Sequence, residues 1–274
     1  MHATKNRAPL RTEAGGLAFD NHGRSDYRPP LVLLHGLTFN RAIWRPVVAE
    51  LHRIDPGRRV LSVDLPGHGE SPAQPSYDLT NASAQLHQVI ECAGLTAPVL
   101  VGHSAGGIAA TMYAARYPAS GVISVDQPLQ IEQFAGLVKS LAGKLRGPEF
   151  PAVWQMFSDS FHAELLPPEA RELVWSTSRP DQQVVLGYWQ DILDRPVADL
   201  TAMVQDAAAA LRAEAVPYVY IAGDEPPPSY RQWLGQHLPA ARVEVWPGSG
   251  HFPRLARLHE FAGRLAATAS WAIR

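Results

Sequence analysis

From Leu31 onward the chain alternates short apolar runs with segments of helical periodicity, and this alternation leaves few folds open. "LVLLH" (31–35), "RRVLSVD" (58–64), "PVLVGH" (98–103), "GVISVD" (121–126), "PYVYIAG" (217–223) and "ARVEVWPG" (241–248) read as strands, being brief, rich in β-branched and aliphatic residues and bounded by turn formers. Helices are predicted between or after them at 42–51, 80–93, 105–116, 200–213, 229–238 and 254–270. A series of this kind folds as a mostly parallel central sheet with helices on both faces, the α/β class. "GGLAFDNHG", ahead of the first run, adds a candidate antiparallel edge strand.

One interval breaks the alternation. Between Pro128 and Pro196 there is no strand signal, only helix-like pieces punctuated by Gly147-Pro148, Pro151, Pro167-Pro168 and Pro180. A gap of roughly seventy residues is far longer than an ordinary crossover and predicts a helical lid, inserted after the strand ending at Asp126 and lying over the carboxyl edge of the sheet. Residues 1–127 and 197–274 then form the core, and 128–196 the lid. Trp154, Phe157, Phe161, Trp175, Tyr188 and Trp189 all fall in the lid and are the candidate lining of an apolar, aromatic pocket.

Open parallel sheets bind ligands at the carboxyl ends of their strands, so chemistry is sought just after each run. Gly102-His103-Ser104-Ala105-Gly106 stands where an apolar strand turns into a helix. A serine at so sharp a corner is held under backbone strain, and the turn closes only if the residues two before and two after it carry little side chain. Its hydroxyl is then exposed beside the positive end of a helix, which makes Ser104 the candidate nucleophile. A serine hydroxyl needs a neighbouring imidazole to take its proton. Of the eleven histidines, His251 follows the last strand and a flexible Gly-Ser-Gly lead-in that can carry it over the sheet. His68 and His103 are built into tight turns, and His162 in the lid is a weaker candidate for substrate contact. After the first strand, Gly36 allows close backbone approach, so the N–H of Leu37 pairs with that of Ala105 as a two-donor oxyanion hole. His35 reads as a hydrogen-bonding residue that pins this loop.

Composition narrows the partners. A formal net charge of −2 without long Lys/Arg clusters argues against nucleic acid, whose phosphates require a basic face. No run approaches the apolar length of a membrane span, and the polar start "MHATKNRAPLRTEAGG" lacks a signal-peptide core and reads as a loose terminal segment. The single Cys92 rules out an internal disulfide and any C-x-x-C motif, and no histidine or carboxylate cluster has zinc-ligand spacing such as H-E-x-x-H. The expectation is a cytoplasmic protein acting on a small molecule without metal or organic cofactor.

"HGLTFNRAIW" (35–44), "VDLPGHGES" (63–71), "GHSAGG" (102–107) and "GSGHFP" (248–253) occur in the order and spacing of the α/β-hydrolase superfamily, which the chain resembles from residue 31 almost to its end. The resemblance is to its lidded branch of esterases, lactonases, carbon-carbon bond hydrolases and proline iminopeptidases. It implies a carboxylate that orients His251, usually carried after the strand before last in a pattern like G-x-x-D. That loop here is "AGDEPPPSY", with Pro226 at the expected position. Some family members instead carry the acid at the end of the strand after the elbow helix, which is Asp126 here. The candidate acids are therefore Asp126, then Glu225 and then Asp224. The expected function is a serine hydrolase cleaving a carboxylic ester or lactone through an acyl-enzyme on Ser104. The alternatives are a carbon-carbon bond hydrolase with the same triad and a hydrolase-like small-molecule receptor with slow turnover.

Overall fold

The computed structural model describes residues 16–271, so the segment read as a loose terminus lies outside the described residues apart from Gly16. Seven strands, Phe19–His22 (β1), Leu31–Leu34 (β2), Val60–Val63 (β3), Val99–His103 (β4), Gly121–Val125 (β5), Tyr218–Ala222 (β6) and Arg242–Val245 (β7), make one sheet in the order β1-β3-β2-β4-β5-β6-β7. All neighbours run parallel except β1, which pairs antiparallel with β3, Phe19 opposite Val63. Each apolar run therefore supplies a strand, and "GGLAFDNHG" supplies the antiparallel edge.

The helices of the alternation are Arg45–Ile54 (α1), entered through a 3-10 turn at Arg41–Trp44, Leu79–Cys92 (α2) and Ala105–Ala114 (α3). Six more fill the long interval: Glu132–Ser140 (α4), Ala142–Arg146 (α5), Phe150–Asp159 (α6), Pro168–Thr177 (α7), Gln182–Tyr188 (α8) and Gln190–Asp194 (α9). Val197–Ala213 (α10), Pro228–His237 (α11), Pro253–Ala256 (α12) and Leu258–Ala267 (α13) complete the set. The helix predicted over 254–270 is divided at Arg257, whose backbone leaves the helical region at φ −124° and ψ 60°.

Side chains alternate across a strand, so a sheet covered on both faces builds two cores. Val32, Leu34, Leu61, Val63 and Leu100 enter one, roofed by α2, α3, α10 and α11. Leu31, Leu33, Val60, Val99 and Val101 enter the other, roofed by α1 and α13. Full burial of such a side chain is worth roughly 1.5–3 kcal/mol, and a one-residue slip would exchange the two sets, which fixes the register.

The segment between β5 and α10 has its own cluster, built from Val138, Leu145, Phe150, Trp154, Val185 and Trp189 and closed by Leu37 from the loop after β2. Among the bonds that tie it to the sheet layer, Tyr188 donates its hydroxyl to the Pro66 carbonyl at 3.0 Å, Arg179 N–H to the Thr38 carbonyl at 2.7 Å, and the Asn40 amide to the Thr177 carbonyl at 3.2 Å. Trp175, expected among the pocket aromatics, is instead 64% exposed on α7. That helix turns Val174 and Thr177 inward, and the residue after Val174 falls about 100° round the helix from it.

Candidate active site

At the β4–α3 corner Ser104 adopts φ 52° and ψ −127°, outside the regions open to an unstrained L-residue. Two glycines make this turn sterically feasible. A Cβ on Gly102 would overlap the Gly106 carbonyl, and one on Gly106 would overlap the Leu34 carbonyl. The Ser104 N–H is held by the Val125 carbonyl at 2.9 Å, which fastens the corner to β5. The loop after β2 lies directly against it, for a Cβ on Gly36 would sit 3.1 Å from Ser104 Cβ. Leu37 and Ala105 flank the same corner and border one cavity with the serine. The Leu37 N–H has no hydrogen-bond partner among the described residues, and Ala105, as the first residue of α3, has none within its helix.

His251 follows β7 and points its ring at the end of β5. Its Nδ1 lies 2.6 Å from Asp126 Oδ2, a contact between residues 125 apart in sequence. With Asp126 as carboxylate, Nδ1–H donates and Nε2 keeps its lone pair. That Nε2 is buried without a hydrogen-bond partner among the described residues. The other carboxylate oxygen of Asp126 accepts the Gly223 N–H at 3.2 Å, and Asp126 itself has φ 50°. Neither alternative acid is brought to the imidazole. Glu225 is exposed and accepts from Arg231 Nε at 2.6 Å, while Asp224 is exposed on the cavity wall.

Three further contacts hold His251. Its N–H donates to the Phe161 carbonyl at 3.0 Å, its ring stacks on Phe161 with centroids 4.6 Å apart and planes at 20°, and its carbonyl accepts His103 Nε2–H at 2.7 Å. Sequence reasoning placed Phe161 among the substrate contacts and gave His103 no partner. The support that each lends to His251 is long-range and leaves no local signature.

The two turns named as structural are occupied as hydrogen-bonding logic requires. His35 Nε2 accepts the Leu65 N–H at 2.9 Å, and His68 Nε2 accepts the Thr38 N–H at 3.0 Å, holding Thr38 at φ 70°. Burial pushes His68 down to about 4 and holds His35 and His103 well below the usual imidazole range, so all three are neutral near pH 7. Asp64 of "VDLPGHGES" binds the Arg41 guanidinium and accepts the Arg41 and Glu70 N–H groups at 2.6 and 2.9 Å.

Ser104, His251 and Asp126 open onto a cavity of about 630 Å³ between the strand ends and the helical segment. Its wall is mainly apolar. Trp154, Phe157, Phe161, Tyr188 and Trp189 line it, with His162 near His251, and Trp175 does not. The lining contains no lysine or arginine and four aspartates, Asp78, Asp126, Asp191 and Asp224. Among the described residues no group of three or more His, Cys, Asp or Glu could hold a metal ion, and no helix is long and apolar enough to cross a membrane.

Residues 31–264 match the family model described as "Alpha/beta hydrolase family". The chain is 31% identical over 140 residues to the sn-1-specific diacylglycerol lipase ABHD11 of Xenopus tropicalis, a match covering 51% of this chain and 40% of the lipase. It therefore spans about two fifths of the length of that relative. A longer match, 28% identical over 253 residues and covering 89% and 93% of the two chains, is to a 2-succinyl-6-hydroxy-2,4-cyclohexadiene-1-carboxylate synthase of Serratia proteamaculans. The structure superposes on that of an N-acyl homoserine lactonase in complex with N-hexanoyl homoserine with a TM-score of 0.71. That match covers 96% of each chain at 21% identity, a likeness of fold.

Proposed function

Because this chain belongs to the alpha/beta hydrolase family, we propose that it is a serine hydrolase that cleaves a carboxylic ester or lactone through an acyl-enzyme on Ser104. The observation that carries this reading is the His251 imidazole, fixed through Nδ1 by Asp126 while Nε2 remains unpartnered at the cavity that Ser104 also borders. In this reading the imidazole is the base, and Ser104, which borders the same cavity, is the donor the chemistry calls for.

The sequence of steps follows from these roles. Nε2 takes the Ser104 proton as Oγ attacks the substrate carbonyl, and the N–H groups of Leu37 and Ala105 receive the negative charge that develops on its oxygen. Collapse of the tetrahedral intermediate breaks the C–O bond, and His251 returns the proton to the leaving alkoxide. Water then attacks the acyl-enzyme with the same base, releasing the acid and restoring Ser104. Asp126 orients the ring and stabilises the imidazolium in both halves. In this reading, residues 128–196 act as a lid that closes the cavity from water.

The cavity favours esters and lactones over the carbon-carbon bond alternative. Substrates of that alternative are expected to be anionic, and a wall with four aspartates and no cationic side chain repels them. Lipase and lactonase relatives support the ester and lactone classes. The test is steady-state hydrolysis of p-nitrophenyl butyrate by the native protein beside Ser104→Ala at neutral pH. Turnover that disappears in the variant is expected. Equal activity in both would sink the mechanism, and a folded native protein inert toward a panel of esters and lactones would favour the receptor reading.

A further inference from the structure

Tyr77 belongs to none of the elements that carry the proposed chemistry, yet it lines the same cavity as Ser104. It stands half-buried in the loop between β3 and α2, wedged between two segments far apart in sequence. A Cβ on Gly187, in the last turn of α8, would overlap its ring, and one on Gly67 would meet its hydroxyl at 2.6 Å. Gly187 has no positive φ, so the backbone of α8 does not call for glycine there; the Tyr77 ring does. That ring also packs on Tyr188 with centroids 4.9 Å apart, and Tyr188 in turn meets the His68 ring at 5.2 Å and bonds the Pro66 carbonyl. Tyr77 is thus fixed as a wall of the cavity where the helical segment meets the sheet layer.

The order of strands says which part of a substrate meets that wall. From β3 to β7 the carboxyl edge of the sheet carries Leu65, Leu37, Ser104, Asp126, Asp224 and His251 in turn. His251 returns a proton to the leaving oxygen, so the alcohol part of an ester lies on the Asp126–His251 side of Ser104. The acyl chain is then directed the opposite way, along the ends of β2 and β3. On that side the cavity is bordered by Leu65, Leu79, Ala82, Ile108 and Ala109 as well as Tyr77. Ser76 and Asp78 beside them bond each other at 2.9 Å, and Asp78 also accepts the Thr80 and Asn81 N–H groups at the start of α2, which leaves the apolar surface to the ligand. We propose that this arm of the cavity is the acyl-binding subsite, taking an apolar alkyl chain, and that Tyr77 is the specificity-determining residue that sets the chain length it accepts. The assignment rests on the roles proposed above for Ser104 and His251.

Tyr77 can be shortened without untying the two layers. Tyr188, the other large ring on this side, bonds Pro66 across the layers, whereas the Tyr77 hydroxyl accepts the Gln74 N–H at 3.4 Å within its own loop. Ala82 and Ala109 present only methyl groups to the arm, so loss of the phenol ring lengthens it.

The test compares two homologous series in the native protein, Tyr77→Ala and Tyr77→Leu. The p-nitrophenyl esters from butyrate to octanoate lengthen the acyl chain, and the alkyl acetates from butyl to octyl lengthen the alcohol. The ratio of octanoate to butyrate kcat/KM, in which a loss common to both substrates cancels, should rise about tenfold in Tyr77→Ala, as roughly two further methylenes are buried at about fourfold each. Tyr77→Leu, which stands in if Tyr77→Ala does not fold, should raise it about fourfold. The ratio of octyl to butyl acetate should stay within about twofold of native, less than one buried methylene. Folded variants with an unchanged acyl ratio, or with an equal or larger change in the alcohol series, would overturn the proposal. Binding of methyl butyrate and methyl octanoate to Ser104→Ala, followed through the fluorescence of Trp154 and Trp189 in the cavity wall, reads the subsite without turnover. Adding Tyr77→Ala should favour methyl octanoate by about tenfold. That gain in a protein inert toward every ester would overturn the hydrolase reading alone, and its absence in an enzyme whose activity depends on Ser104 would overturn the subsite alone.

Discussion

Asp126→Asn is the substitution that isolates the acid. The side chain keeps its shape and loses its charge, so packing at the end of β5 is little changed while the contact to His251 is altered. When Nε2 takes up the serine proton, the imidazolium gains an attraction to Asp126 across a 2.6 Å N–O contact. For charge centres ~4 Å apart in a partly buried site this is worth about 4 kcal/mol, or roughly a thousandfold in rate. An asparagine NH₂ facing Nδ1 also favours the tautomer with its proton on Nε2, which cannot act as base, so the loss should reach roughly 10³- to 10⁴-fold. The assay is kcat/KM for p-nitrophenyl butyrate from pH 6 to pH 9, with Asp224→Asn and Glu225→Gln measured alongside. Glu225 bonds Arg231 at the surface and Asp224 does not reach the ring, so each should stay within about threefold of native, the range of a surface change. An Asp126→Asn variant within tenfold of native, or a Glu225→Gln variant that loses activity, would refute the reasoning.

Two other predictions concern the scaffold. His35 and His68 each accept a backbone N–H at Nε2, so the fold requires them unprotonated. The unfolded chain takes up these protons below about pH 6.5, whereas native His68 resists to about 4, so stability is fully present above 6.5 and declines as pH falls. His68 alone should cost about 3 kcal/mol by pH 4, and His35 and His103 act in the same direction; a urea midpoint independent of pH between 7 and 4.5 would contradict this. Trp154→Ala should lose ~3–5 kcal/mol in urea unfolding because the indole packs against Phe150 and Trp189, while Trp175→Ala should stay within ~0.5 kcal/mol; comparable losses in both would contradict the burial pattern.

The strands were legible because five of the seven, β2 to β6, are buried along their whole length, and burial of that kind writes itself into sequence as runs such as Leu31-Val32-Leu33-Leu34. The elbow was legible for a related reason. Its geometry excludes side chains at two fixed positions, so the constraint appears locally as Gly102 and Gly106. The choice among acids was not local. Asp126, Asp224 and Glu225 all follow strands on the same edge of the sheet, and only the packing of loops 125 residues apart brings Asp126 to His251. The break at Arg257 was hidden because no glycine or proline marks it; the side chain reaches the Pro247 carbonyl at 3.1 Å and Glu260 at 3.3 Å instead. Trp175 shows the limit of composition as a guide, since an aromatic in the right segment still faces solvent when its helix phase is wrong.

Arg254 was the least legible residue of all, because an arginine in "HFPRLARL" reads by itself as a surface cation. Its burial follows from its neighbours. Phe252 and Leu255, on either side of it, enter the core with Trp44 and Phe261, and the guanidinium lies over the Trp44 and Phe252 rings. The same loop thus delivers His251 to Asp126 and a guanidinium to the core below, while Phe161 from the inserted helices stacks on the imidazole from above. His251 is held by both layers of the molecule. A displacement of the segment carrying Phe161 would remove both the ring stack and the 3.0 Å bond from the His251 N–H, but would leave Asp126, His103 and Arg254 in the sheet layer. In the proposed reading, closure of the helical segment over a substrate acts on the orientation of His251 and not on the carboxylate that anchors it.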